Sequence, residues 1–311
     1  MQSVKKSPLS ILRQSFSELG KNDPLRLAGA TAFFTTFALP AILLIILQLI
    51  RLFLPKGQSD RELHQKIKGL VGEGAAEHLF KVLKSFESFA TNPVAMVAGF
   101  LFLLFVATTL FKVIKNSLNE IWDIRVVEKK SVQLTFKMRA RELVIIISAG
   151  ILFLITFILE SLQSLASNEF LESSGITRIG LSISVSFVIS VIIVTAWFGL
   201  IFCFLPDGRL PAKICFTGAL VTSLLFNLGK LVLKLILLNG NVQEIFGRSA
   251  SVVLLLLFVF YSSLIFYFGA AFTKIIALNK GQQIRPLDHA ILYELKESDP
   301  AENPKSTQTI S

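Results

Sequence analysis

Six apolar runs, at 27–54, 93–111, 143–159, 179–205, 214–238 and 249–278, constrain this chain more than any motif within it. About 20 helical residues cross about 30 Å of hydrocarbon, so an apolar stretch of roughly 18 or more marks a membrane span. Inside lipid the backbone must satisfy its own hydrogen bonds, and a long unbroken run does so only as a helix. The short alternating segments of a transmembrane barrel are absent from the sequence. The expected fold class is therefore all-α. It is a polytopic membrane protein with a six-transmembrane-helix bundle, an amphipathic N-terminal interfacial helix and an outer helical loop.

Composition agrees. Hydrophobic residues make up 53% of the chain and charged residues 17%, against about 25% charged in an ordinary soluble domain. The formal net charge of +10 raises the question of nucleic acid, but in a membrane protein basic residues on the cytoplasmic side hold the topology and meet anionic lipids. With the N-terminus placed inside, twenty Lys and Arg fall in inner segments and nine in outer ones. The bias predicts cytoplasmic N- and C-termini and no nucleic-acid partner.

Three domains follow. Residues 1–26 form a cytoplasmic amphipathic segment, with Leu9, Leu12, Phe16 and Leu19 on one face beside Lys5, Lys6 and Arg13. No short apolar region with a cleavage site precedes the first span, which is read as an uncleaved signal anchor. Residues 27–278 form the membrane domain. Its outer loop, 55–92, carries apolar residues at helical spacing on either side of Gly72 and Gly74. Residues 279–311 form a polar tail expected to be disordered. No internal repeat is visible, so a transporter of two matching halves is not supported.

Catalytic patterns are missing. His64 and His78 belong to the outer loop and His289 to the tail, so the three cannot meet on one face of a membrane. Cys203 and Cys215 sit inside apolar runs without metal or disulfide spacing. There is no phosphate-cradling glycine loop. The expectation is no enzyme, no metal and no cofactor.

What stands out is polarity inside the bilayer, which is costly and therefore informative. On the fifth run Ser223, Asn227, Lys230 and Lys234 fall at i, i+4, i+7 and i+11, one helical stripe. Either lysine can snorkel outward to headgroups; the functional alternative is a cationic site for an anionic lipid or other anion. On the fourth run Ser182, Ser186 and Ser190 form a second stripe, suited to close helix packing or to lining a cavity. Asn116, Asn119, Glu120 and Asp123 follow the second run, where hydrogen bonds between helix ends account for them. Trp122 among them is expected to anchor at headgroup level.

Several segments together are familiar. Leu27-Ala-Gly-Ala-Thr-Ala-Phe-Phe-Thr-Thr-Phe-Ala-Leu-Pro40 opens the first run, and Leu118-Asn-Glu-Ile-Trp122 follows the second. Leu205-Pro-Asp-Gly-Arg-Leu-Pro211 precedes Gly218-Ala219 and the stretch from Asn227 to Lys230, and Gly247 precedes the sixth run. In order and spacing these resemble the YihY/BrkB family of bacterial inner-membrane proteins, over roughly residues 9–278. Phe33 and Phe34 stand where the family usually has tyrosines, and Asn227 where it often has an acidic residue before the lysine. The resemblance implies six helices with both termini in the cytoplasm, and little chemistry. Members were long labelled a tRNA-processing ribonuclease, a label regarded as misassigned.

The expected function is transport or handling of lipid or another anionic amphiphile, with no ATPase in the chain. The alternative is a non-transporting scaffold whose outer loop docks an envelope protein. The expected partners are membrane lipids, an anionic ligand, or such a protein.

Overall fold

In the computed structural model the described residues are 7–51, 93–127, 176–239 and 250–293, with isolated positions between 61 and 81 and at 148. They are predominantly helical. Helix α1 spans Pro8–Gly20, α2 Pro24–Arg51, α3 Pro93–Ile121, α4 Ile176–Phe204, α5 Ala212–Asn239 and α6 Ala250–Asn279. Five of these coincide with the apolar runs at 27–54, 93–111, 179–205, 214–238 and 249–278. The run at 143–159 and most of the outer loop lie outside the described residues.

Local chemistry sets the helix boundaries. Pro8 and Pro24 open α1 and α2, where the missing N–H and fixed φ cost nothing. Asp23 holds φ at 46° and Asp123 at 54°, a left-handed geometry that a short acidic side chain tolerates better than most. These residues turn the chain out of α1 and out of α3. Gly281, at φ 66°, ends α6 as Gln282 N–H bonds back to the Ala277 carbonyl at 2.9 Å.

The long helices pack in the order α4, α5, α6, α2, α3, and α1 lies against α6. Burial on α5 is inverted relative to a soluble protein. Phe216, Leu220, Leu224, Leu228 and Leu231 recur along its exposed face, while Thr222, Ser223 and Asn227 are buried. On a water-soluble helix the apolar stripe faces the core. Here it faces outward, as lipid requires. Among the described residues, stretches of α4, α5 and α6 are long and apolar enough to cross a membrane.

A small polar layer closes one end of the bundle. Strand β1 (Ile124–Val126) pairs antiparallel with β4 (Ala290–Leu292), setting Arg125 opposite Ile291. Strand β2 (Gly208–Arg209) pairs with β3 (Arg285–Pro286). Apolar length gave no sign of either pairing. The layer corrects the expected tail: residues 280–293 are folded, and His289 and Ala290 are buried. Polar composition alone predicts disorder here, but the chain is bound strand to strand, and Leu287 N–H donates to the Asp207 carbonyl at 2.9 Å. Trp122 is corrected too. It is fully buried, and its indole N–H donates to the Ala270 carbonyl at 3.0 Å. The partner is the backbone of α6, not a headgroup.

Candidate functional site

The stripe on α5 and the stripe on α4 meet. Ser223 Oγ donates to the Val191 carbonyl at 2.9 Å, and Ser190 Oγ donates to Asn227 Oδ1 at 3.0 Å. The Asn227 amide donates in turn to the Ser223 carbonyl at 2.9 Å. Polar side chains in lipid favour this arrangement because a bond across the helix pair replaces an unsatisfied group. Ser190, Ser223 and Asn227 therefore join two helices. Lys230 lies a turn beyond, half-buried, with its ammonium 5.4 Å from the centre of the Phe226 ring. The side chains of Lys234, Ser182 and Ser186 are outside the described set. Cys203 and Cys215 are both buried and free.

The densest charge chemistry is at the other end, in the polar layer, at a residue that the spacing argument did not single out. Asp207, in the turn between α4 and α5, is wholly buried. Lys115 Nζ lies 3.0 Å from its Oδ1, and Asn119 Nδ2 donates to Oδ2 at 2.9 Å. The Asp207 backbone N–H donates to Asn119 Oδ1 at 2.8 Å, so one amide side chain serves both groups. His289 Nε2 completes the set at 3.1 Å. Burial pushes the Asp207 carboxyl up. The Lys115 charge and the hydrogen bonds from Asn119, Lys115 and His289 outweigh it and hold the group below its ordinary value.

A second ionic group ties α1 down. Lys274, buried near the end of α6, bonds Glu18 of α1 and reaches Asp123 Oδ2 at 2.6 Å. Burial raises the Glu18 carboxyl, but hydrogen bonds from Lys274 and Lys21 and their charges prevail and hold it low. Phe16 packs on Phe268, centroids 4.5 Å apart, yet remains largely exposed together with Leu9. The helix thus combines docking with an outward apolar face. Beside it Arg26 pairs with Glu120.

Between the end of α3 and the β1–β4 pair lies a cleft of about 470 Å³, lined by Asn116, Asn119, Glu120, Ile124, Arg125, Val126 and Tyr293. Among the described residues, no group of three or more His, Cys, Asp or Glu is placed to hold a metal ion. His64 stacks on Phe80 with centroids 4.6 Å apart, while His78 is outside the described residues.

Comparison with known proteins places this architecture. Residues 15–290 match the family described as virulence factor BrkB. A UPF0761 membrane protein of Saccharophagus degradans is 24% identical over 250 residues, covering 80% of this chain and 55% of the relative. UPF0761 membrane proteins of Pseudomonas paraeruginosa and of Pseudomonas aeruginosa strain LESB58 are each 26% identical over 245 residues, covering 78% of this chain and 57% of the relative. The chain thus spans a little over half the length of these curated relatives. No solved structure matches. The family match begins within α1 and ends at the first residue of β4, enclosing the bundle and the layer that closes it, and the chain belongs to the BrkB family of membrane proteins.

Proposed function

We propose that this protein crosses the bacterial inner membrane six times with both termini in the cytoplasm, and handles or transports lipid or another anionic amphiphile. It acts as a carrier, not an enzyme, and contains no ATPase. The observation that supports this reading is the setting of Lys230. It continues the stripe of Ser223 and Asn227 along α5, half-buried, with its ammonium over the Phe226 ring. A lysine at the centre of a span costs about 2.5–3.5 kcal/mol on insertion scales, so a cation kept half-buried on the polar stripe of α5 is suited to meeting an anionic amphiphile. Ser190, Ser223 and Asn227 brace the α4–α5 pair that presents it. The segments assigned to the cytoplasm by charge are also the ones that share the polar layer: α1, the end of α3, the α4–α5 turn and residues 280–293.

The experiment is transbilayer movement of a fluorescent phosphatidylglycerol in proteoliposomes. Wild type is expected to accelerate it and Lys230→Leu to abolish it, with insertion and folding intact. Unchanged movement in the variant would overturn the reading and favour the scaffold, in which deleting 60–90 costs a crosslinked envelope partner.

A further inference from the structure

The exposed face of α3 changes character along its length. Leu101 and Phe105 are more than half exposed, as a surface against acyl chains requires. Thr108, Lys112 and Asn116 continue the same face at helical spacing, all exposed. From Phe105 to Asn116 the helix rises about 16 Å at 1.5 Å per residue. At its polar end this stripe runs into the cleft of about 470 Å³ under β1.

The walls of the cleft are chemically asymmetric. Arg125 lines it, exposed on β1, and the exposed Lys112 stands one turn before the lining Asn116 on α3. Asn116 contributes an amide and Tyr293 a hydroxyl. Burial, and then the nearby carboxylates of Asp123 and Glu120, raise the Tyr293 hydroxyl above its ordinary value, so it stays protonated and able to donate. Glu120, the one carboxylate among the described residues of the lining, is paired with Arg26. Ile124 and Val126 supply the apolar floor.

We propose that this cleft is a binding site for a phosphate-bearing lipid headgroup, whose acyl chains lie along Leu101 and Phe105. The phosphate sits between Arg125 and Lys112, with Asn116 and Tyr293 as hydrogen-bond donors. The arrangement matches a phospholipid in three respects: charge, the presence of hydrogen-bond donors, and the run of an apolar face into a polar cup at the end of a span. The site is separate from Lys230 and does not depend on transport.

Native mass spectrometry of the full chain in detergent tests it, with dioleoyl phosphatidylglycerol, dioleoylglycerol and inorganic phosphate as probes. The wild type is expected to retain phosphatidylglycerol and not the uncharged diacylglycerol. Retention should fall about five-fold for each of Arg125→Ala and Lys112→Ala, as for one basic side chain at an anionic membrane surface. Lys213→Ala, a cation at the start of α5 outside the cleft, should leave it unchanged. If inorganic phosphate displaces the lipid at equal concentration, the phosphate group is the ligand and free phosphate is its source; failure to displace assigns the lipid. Equal retention by the wild type and the Arg125→Ala/Lys112→Ala double variant, with unchanged thermal unfolding, would overturn the proposal. So would equal loss in Lys213→Ala.

Discussion

Gly218 of α5 and Thr273 of α6 lie so close that a Cβ on the glycine would fall 1.8 Å from the threonine hydroxyl oxygen. The contact is reciprocal. A Cβ on Gly269 of α6 would fall 1.8 Å from the hydroxyl of Thr222 of α5. Each threonine returns its hydroxyl to its own helix, Thr222 to the Gly218 carbonyl at 2.8 Å and Thr273 to the Gly269 carbonyl at 2.7 Å. Two antiparallel Gly-x-x-x-Thr segments thus pack without any polar atom left over, and the backbones approach as only small residues allow.

Gly218→Ala should therefore separate α5 from α6. The expected loss is about 1–3 kcal/mol, the usual cost of overpacking a closed contact. Unfolding of the purified protein in graded denaturing detergent measures it. Thr273→Ala added to Gly218→Ala should recover part of the loss, since the Thr273 Cβ would still lie 2.9 Å away, and a double-mutant cycle with no coupling would refute the contact.

Asp207→Ala should be more damaging. It leaves Lys115, Asn119 and His289 facing a void at the bundle end, and breaking a buried ion pair from one side costs about 3–5 kcal/mol. The loss should appear first as proteolytic access to 285–292, since β3 and β4 are held beside the same residue.

Acid should act through the same group. The Asp207 carboxyl is held below its ordinary value when folded, so its contribution is fully present above the unfolded value of about 3.9 and is lost as pH falls through the lower folded one. Glu18 shifts in the same direction and adds to the effect. Stability measured by thermal unfolding should stay flat from neutrality to about pH 5 on this account and decline below about pH 4. Asp207→Asn should flatten that decline.

Lys274→Met should release α1. It strips Glu18 and Asp123 of a shared buried cation, at a cost of about 3 kcal/mol or more. Arg26→Ala, which removes a partly exposed pair, should cost under ~1 kcal/mol. Cleavage between α1 and α2 by an added protease reports both; equal sensitivity of the two variants would contradict the docking role of Lys274.

The helices were legible because bilayer thickness imposes a length, and length survives in a single sequence. Five long helices accordingly fall where apolar runs put them. The polar layer was not legible. Asn119 and Asp207 are 88 residues apart and His289 another 82 beyond Asp207, and no local period connects positions that meet only after the bundle has closed. Trp122 is ambiguous for a related reason, since an indole near a span's end carries the same local signature whether it meets headgroups or a neighbouring carbonyl. The α5–α6 crossing did leave a signal: the spacing Gly-x-x-x-Thr occurs at 218–222 and again at 269–273. The α5 stripe is visible as a stripe, but only the position of Val191 and Ser190 shows that Ser223 donates to α4 and Asn227 accepts from it.

The two strand pairs also set an order of events during synthesis. β1 and β2 leave the ribosome early and find their partners only in the last described stretch, β3 and β4. His289 follows Asp207 by 82 residues, roughly 4–16 seconds of translation at 5–20 residues per second. During that interval a carboxylate destined for complete burial waits with an unfinished shell. Synthesis of residues 285–292 is thus what seals this end of the bundle, so a product terminated before them would remain recognisably open to the membrane's proteases.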